Sequence, residues 1–173
     1  MRKSRRLVVF SELEKTAFYE APNFDDSDRE EYFNFSEDEI QLIGKSKEIH
    51  LNIYTAIQLA YFKVTKMFFY LPLSDVNKED LKFLIIRYFP EAPEPLVISI
   101  KYIYYAGKKA ILKHYGYNDW SKKFYQIAID QVGRIIRLDT TCNFIGRELI
   151  KFFQSIKVVK PGYSILQNIV SEG

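Results

Sequence analysis

The residues of this chain with catalytic or metal-binding potential are two histidines, one cysteine and a crowd of carboxylates. His50 and His114 have no acidic residue at a spacing that would complete a metal-ligand pair, so both are expected in surface or internally satisfied roles. Cys142 has no second cysteine for a disulfide and belongs to no metal-binding cluster, which makes it a structural residue. Gly107-Lys108-Lys109 lacks the Ser/Thr and the preceding glycine of a phosphate-binding loop. Eleven acidic residues lie between Ser11 and Glu39, against only Lys15 and Arg29. Two-metal chemistry needs carboxylates that converge on a pair of ions. These acids instead fall at helix starts and on polar faces. The sequence therefore predicts no catalytic residue, no metal site and no cofactor.

What remains is binding. Between Lys101 and Lys160 twelve basic residues face only Asp119, Asp130, Asp139 and Glu148, an asymmetry expected of a polyanion-binding surface. An N-terminal basic arm of Arg2, Lys3, Arg5 and Arg6 is suited to a minor groove or a row of phosphates. Lys108, Lys109 and Lys113 share one predicted helix, and Lys122 and Lys123 open the next, in reach of phosphates near its N-terminus. Asn52 and Asn118 are the candidate polar readers of base edges. Helix, Gly116, helix is compatible with a helix-turn-helix. The alternative is that these lysines only solvate helix surfaces.

The elements that would position these residues are helices. Phe35–Lys63 is the organising stretch. Ser36-x-x-Glu39 forms a capping box, with Phe35 and Ile40 as the accompanying hydrophobic staple and a left-handed Gly44 as the stop. Ser46 is expected to cap a longer helix over Lys47–Met67. In it Ile49, Ile53, Ala56, Ile57, Ala60, Val64 and Met67 recur at helical spacing, and Leu51, Tyr54, Leu59 and Phe62 fill a second stripe. No formal charge falls between Glu48 and Lys63, so this helix is expected at the centre, wrapped on most sides. Before it, Ser11-x-x-Glu14 opens a helix to Tyr19. After it, Asn77 caps a helix that Pro90 closes. Leu96–Tyr105 is β-branched and aromatic enough for a strand, but no partner strand of comparable quality exists, and it reads as helix. Lys108–Tyr115 is a further helix ended by Gly116. Asn118 is expected to cap a long helix through Ile136, within which Gly133 would mark close packing. Thr140 or Thr141 caps the next helix, to about Ile156. Lys160-Pro-Gly-Tyr163 suits a turn with positive φ at the glycine, and Ser164-x-x-Gln167 opens a last helix. The expected fold class is all-α, an orthogonal bundle of seven to nine helices around the central one.

At 173 residues, 47% hydrophobic and 16% aromatic, the chain is long enough for one domain over 1–173, or two small helical lobes over 1–90 and 96–173. The apolar patch Leu7–Phe10 is too short for a signal-peptide core, and the longest uncharged run falls short of the ~20 apolar residues that span a bilayer. No membrane partner is expected. The lone cysteine fits a reducing compartment and a cytoplasmic location.

Phe35-Ser-Glu-Asp-Glu-Ile-Gln-Leu-Ile43, followed by His50 and Ala56-Ile-Gln-Leu-Ala-Tyr-Phe-Lys63, resembles the N-terminal domain of the large replicative transposases of the Tn-three type. Ser36, Glu37, Ile43, His50, Ala56, Gln58 and Leu59 match its pattern. Lys63 stands for its closing Arg, while Leu51 and Asn52 replace an Asn-Arg pair. The likeness returns at His114-Tyr-Gly-Tyr-Asn-Asp-Trp120 and over the stretch 146–170, so it spans nearly the whole chain. The resemblance implies an all-α DNA-binding domain that recognises the terminal inverted repeat of a transposable element as double-stranded DNA. Its partner would be the rest of a transposase chain, whose separate RNase-H-like domain carries the catalytic acids. It implies no enzymatic activity for this chain alone. The alternative function, drawn from thirteen Tyr and fourteen Phe, is an all-α protein–protein interaction module.

Overall fold

The computed structural model describes residues 7–93 and 100–173. The fold is all-α. Among the described residues the helices are α1 (Glu12–Thr16), α2 (Asp26–Tyr32), α3 (Glu37–Ile43), α4 (Ile49–Thr65), α5 (Lys78–Tyr88), α6 (Ile100–Tyr115), α7 (Tyr125–Ile135), α8 (Cys142–Ser155) and α9 (Tyr163–Glu172), with 3-10 turns at Leu73–Asp75 and Lys122–Phe124. The chain forms two compact units. An inserted unit comprises Ala21–Gly116, and a split unit combines the chain up to Glu20 with Tyr117–Gly173. Pro90, offered by the sequence as the end of a lobe, lies inside the inserted unit.

In the inserted unit α4 is the hub. Ile53, Tyr54, Ala56, Ile57, Leu59, Ala60, Tyr61 and Phe62 are all buried, and α2, α3, α5 and α6 pack against them. The hub also orders an irregular segment beside it. Gln58, 0% exposed, donates from Nε2 to the Phe69 carbonyl (2.6 Å) and accepts from the Phe69 N–H (3.1 Å). The Tyr54 hydroxyl donates to the Leu71 carbonyl at 3.0 Å. Buried backbone groups outside a helix need such partners.

Several expected details around the hub are corrected. Glu48, not Ser46, is the N-cap of α4; the Ser46 hydroxyl accepts from the Glu48 N–H instead. At the other end Lys66 takes a left-handed φ of 55° and stops the helix at Thr65. Gly44 has φ −79°, so α3 ends without the left-handed glycine. The Phe35–Ile40 staple does not form. Phe35 packs its ring tilted against Tyr88, with centroids 5.2 Å apart, and Ile40 is 46% exposed.

The Ser36/Glu39 capping box is present, and a second box at Asp25/Asp28 opens α2. Asn77 caps α5 by accepting from the Glu79 N–H. Residues 100–105 are helical, continuous with 108–115 as the single α6. One face of α6 carries Ile103, Gly107 and Ile111 at spacing four, all buried. A Cβ on Gly107 would lie 3.0 Å from the Thr55 hydroxyl, so the glycine sets how closely α6 approaches α4.

The split unit joins both ends of the described chain. The Tyr163 hydroxyl accepts from the N–H groups of Val9 (3.2 Å) and Phe10 (3.3 Å), and Gln167 Nε2 donates to the Leu7 carbonyl (2.7 Å). The Ser11/Glu14 box opens α1 as expected, and Glu14 continues outward to Asn143 and Arg147 of α8. Ala128, Val132, Ile145, Leu149, Phe153, Leu166 and Ile169 form the core of α7, α8 and α9. Thr141 is the N-cap of α8, without a side-chain bond, and half-buried Cys142 is its first residue.

Several expectations fail from Asn118 onward. Asn118 caps no helix. Its N–H donates to the Lys157 carbonyl and its carbonyl accepts from the Val159 N–H, an isolated parallel bridge to Val158. Consequently α7 starts only at Tyr125, with nine residues between it and the end of α6 at Tyr115, and the short turn of a helix-turn-helix is absent there. Gly162 has φ −60° and is the N-cap of α9, so neither the positive-φ turn nor the Ser164/Gln167 box forms. At Gly133 a Cβ would meet nothing within 4 Å. The close approach is at Gly146, where it would lie 2.4 Å from Val9 Cγ1 and 2.8 Å from Phe10 Cζ.

Candidate nucleic-acid interface

The periodicity that buries one face of α6 exposes the other. Lys101, Tyr105, Lys109 and Lys113 follow at spacing four, and Tyr102 lies beside them on the same side. Lys101, Lys109 and Lys113 are exposed, and none pairs with a carboxylate among the described residues. Tyr102 and Tyr105 are 60% and 58% exposed. With Lys101, Ala106 and Lys109 they line a shallow, mostly apolar depression. At 1.5 Å per residue, Lys101 and Lys113 stand about 18 Å apart along the axis. The result is a rigid rod presenting positive charge and flat rings together. Such a surface can neutralise phosphates and offer ring faces or hydroxyls to a nucleic acid.

Rigidity comes from the other side of the helix. Glu39, buried at the start of α3, accepts hydrogen bonds from the Tyr115 hydroxyl at the end of α6 and from Lys63 Nζ of α4 (3.2 Å). Burial pushes the Glu39 carboxyl up, but bonds from Tyr115, the Ser36 N–H and Lys63 outweigh that and hold it below its ordinary value. Burial first, then the neighbouring Glu39 carboxylate, raises the Tyr115 hydroxyl, keeping it a donor. Elsewhere in this unit a buried ion pair joins α2 to α5. Arg29 Nε donates to Asp80 Oδ1 at 2.7 Å, and the same guanidinium reaches the Phe24 carbonyl and Asp26.

The other anticipated contact residues are dispersed. Arg2, Lys3, Arg5 and Arg6 lie outside the described residues. Lys108 belongs to α6 but sits over the rings of Phe68 (5.5 Å) and Tyr104 (5.9 Å). Asn52 is part-buried and donates to the Ser46 carbonyl (3.0 Å), which steadies the start of α4. Asn118, Lys122 and Lys123 are exposed in the split unit, the lysines in the 3-10 turn before α7, with Lys123 over Phe124. Lys109 and Lys113 are thus brought together, and Lys101, Tyr102 and Tyr105 join them. Sequence reasoning left those three out because Leu96–Tyr105, read as helix against a strand alternative, was assigned no solvent face. The available signal was the i, i+4 row Lys101–Tyr105–Lys109.

Among the described residues no group of three or more His, Cys, Asp or Glu could hold a metal ion, and no helix is long and apolar enough to cross a membrane.

An all-α domain of two helical units, with a lysine- and tyrosine-bearing helix face, is the class that fold and surface define. Over residues 9–173 the chain matches the family described as Domain of unknown function (DUF4158), and it belongs to that family. Neither the curated proteins nor the solved structures compared with it give a match.

Proposed function

We propose that this chain is a DNA-binding domain of a Tn-three type replicative transposase, which engages the terminal inverted repeat as duplex DNA. Binding, not catalysis, is its task, and strand chemistry falls to the remainder of a transposase. The observation that carries this reading is the solvent face of α6, where Lys101, Lys109 and Lys113 have no carboxylate partners among the described residues and Tyr102 and Tyr105 stand between them. The motif resemblance around Ser36, His50 and Gln58 supplies the substrate. Phosphate contacts by the lysines set register, and the Tyr102 and Tyr105 hydroxyls are the base readers that α6 itself offers. Lys122, Lys123 and the arm of Arg2, Lys3, Arg5 and Arg6 add to the same electrostatic attraction.

The test is a salt titration of repeat and scrambled duplexes. Log affinity should fall linearly with log salt, by ~0.9 per neutralised phosphate. Replacing Lys109 and Lys113 by Ala should weaken binding to both duplexes and flatten the slope by ~2 while preference for the repeat survives. Binding with no preference for the repeat would reject the recognition claim. Absence of duplex binding at low salt would favour the second reading, a protein–protein interaction module, for which the apolar depression around Tyr102, Tyr105 and Ala106 is the specific observation.

A further inference from the structure

Beside the last turns of α6 lies a second concavity, of about 410 Å³, lined by Asp38, Gln41, Leu42 and Lys45 from α3 and its C-terminal turn and by Ala110, Lys113 and His114 from α6. Leu42 and Ala110 give it an apolar floor. Its rim carries two ammonium groups, an imidazole and a carboxamide, with Asp38 as the one carboxylate. Lys45 and Lys113 are exposed, and neither forms an ion pair with Asp38 or any other carboxylate among the described residues. The His114 ring lies edge-to-face with Tyr115, centroids 4.8 Å apart. The cleft therefore keeps net positive charge.

We infer that this α3–α6 cleft is a phosphate socket that seats one phosphodiester of the DNA strand running along α6, with Lys45, Lys113 and His114 as its ligands. This rests on the proposed function above and names a contact beyond it. Lys113 is both the last cation of the α6 row and a wall of the cleft, so a backbone following the row is led into it. Lys45 approaches from α3, and the Gln41 amide can donate to a non-bridging oxygen. Converging donors from two helices fix a phosphate in direction as well as charge, whereas the lysines of a single helix face only attract it. Asp38 sets a requirement of its own: a bound phosphate must lie toward the lysines, which excludes deep entry at the α3 start.

The two histidines make the socket directly observable. Imidazole proton resonances of the whole chain are recorded by NMR, the His114 signal being the one missing from His114→Gln. Adding repeat duplex should move the His114 signal and leave that of His50 in place. Lys45→Gln should abolish the movement, weaken duplex binding about threefold to tenfold and lower the salt slope by ~0.9. Unchanged affinity and slope in Lys45→Gln, while the Lys109→Ala and Lys113→Ala pair loses binding, would overturn the socket and leave the α6 reading intact. An unmoved His114 signal in duplex would overturn it too. Pyrophosphate is the control for a free-phosphate ligand. Movement of His114 by pyrophosphate without movement by duplex would refute the DNA assignment and reassign the cleft to a free phosphate compound. A wild-type chain that binds no duplex refutes both readings.

Discussion

Replacing Asp80 by Ala tests the reasoning about the inserted unit most severely. Asp80 is 0% exposed, and its Oδ1 meets Arg29 Nε at 2.7 Å, with the Arg29 side chain itself only 10% exposed. Truncation leaves a guanidinium held between α2 and α5 with the Phe24 carbonyl and the fully exposed Asp26 as its remaining partners. Removing one member of a buried pair costs ~3–5 kcal/mol, because the other charge stays desolvated. That is a large share of the ~5–15 kcal/mol of a typical domain. With a urea dependence of ~1–3 kcal/mol per molar, the midpoint of the inserted unit should fall by roughly 2 M. Urea unfolding followed by far-UV circular dichroism reads this out. Because Asp80 Oδ2 has no hydrogen-bond partner among the described residues, the pair is incompletely satisfied and gives little net stability over an apolar substitute. The double variant Arg29→Met, Asp80→Leu should therefore recover most of the loss. A drop below ~1 kcal/mol for Asp80→Ala would refute the claim that Arg29 depends on it.

Three further outcomes are expected. Glu14 is held down to about 2, first by the Arg147 hydrogen bond and then by the Ser11 N–H. Its folded value lies below the ordinary 4.5, so its stabilisation is present above that pH and lost as pH falls toward about 2. Acid unfolding of the split unit should lose this component in Glu14→Gln. The paired glycines should behave oppositely in thermal melts. Gly146→Ala forces Val9 and Phe10 apart and lowers stability, while Gly133→Ala, with open space around it, gains up to ~1 kcal/mol of helix propensity. Gln58→Ala leaves the Phe69 N–H without its acceptor and the Phe69 carbonyl with only the longer bond from the Tyr54 hydroxyl (3.4 Å), and should cost ~1–4 kcal/mol, with faster amide exchange at Phe69.

What could be read from sequence was whatever the chain decides locally or by periodicity. The Ser11 and Ser36 boxes and the Asn77 cap are closed within three residues, and they form. The hub was legible because apolar residues on nearly all its faces leave no solvent side. Asn118 and Gly162 were misread because tertiary partners override their local preference. Asn118 is taken by Lys157 and Val159, some forty residues away, and Gly162 is fixed where Tyr163 must reach Val9 and Phe10. The Gln58 clamp was invisible for a related reason, since its partner lies in a segment with no periodicity at all. At the candidate interface the lysines were legible as charges. The exposure of Tyr102 and Tyr105 was not, because aromatic composition alone argues for a core. Only the burial of Ile103, Gly107 and Ile111 on the far side of α6 assigns those rings to solvent.

The split unit draws on residues 9–20 and 117–173 and is interrupted by the whole of Ala21–Gly116. During synthesis its first strip of chain leaves the ribosome long before Arg147 and Tyr163 exist to receive it. Val9, Phe10 and Glu14 must then wait, without their partners, while roughly a hundred residues are made. The inserted unit has its own core and its whole sequence is contiguous, so it can complete before the later segment of the split unit has been made. Order of emergence and order of assembly are thus reversed for the first segment of the split unit: it precedes the inserted unit in the chain and settles after it.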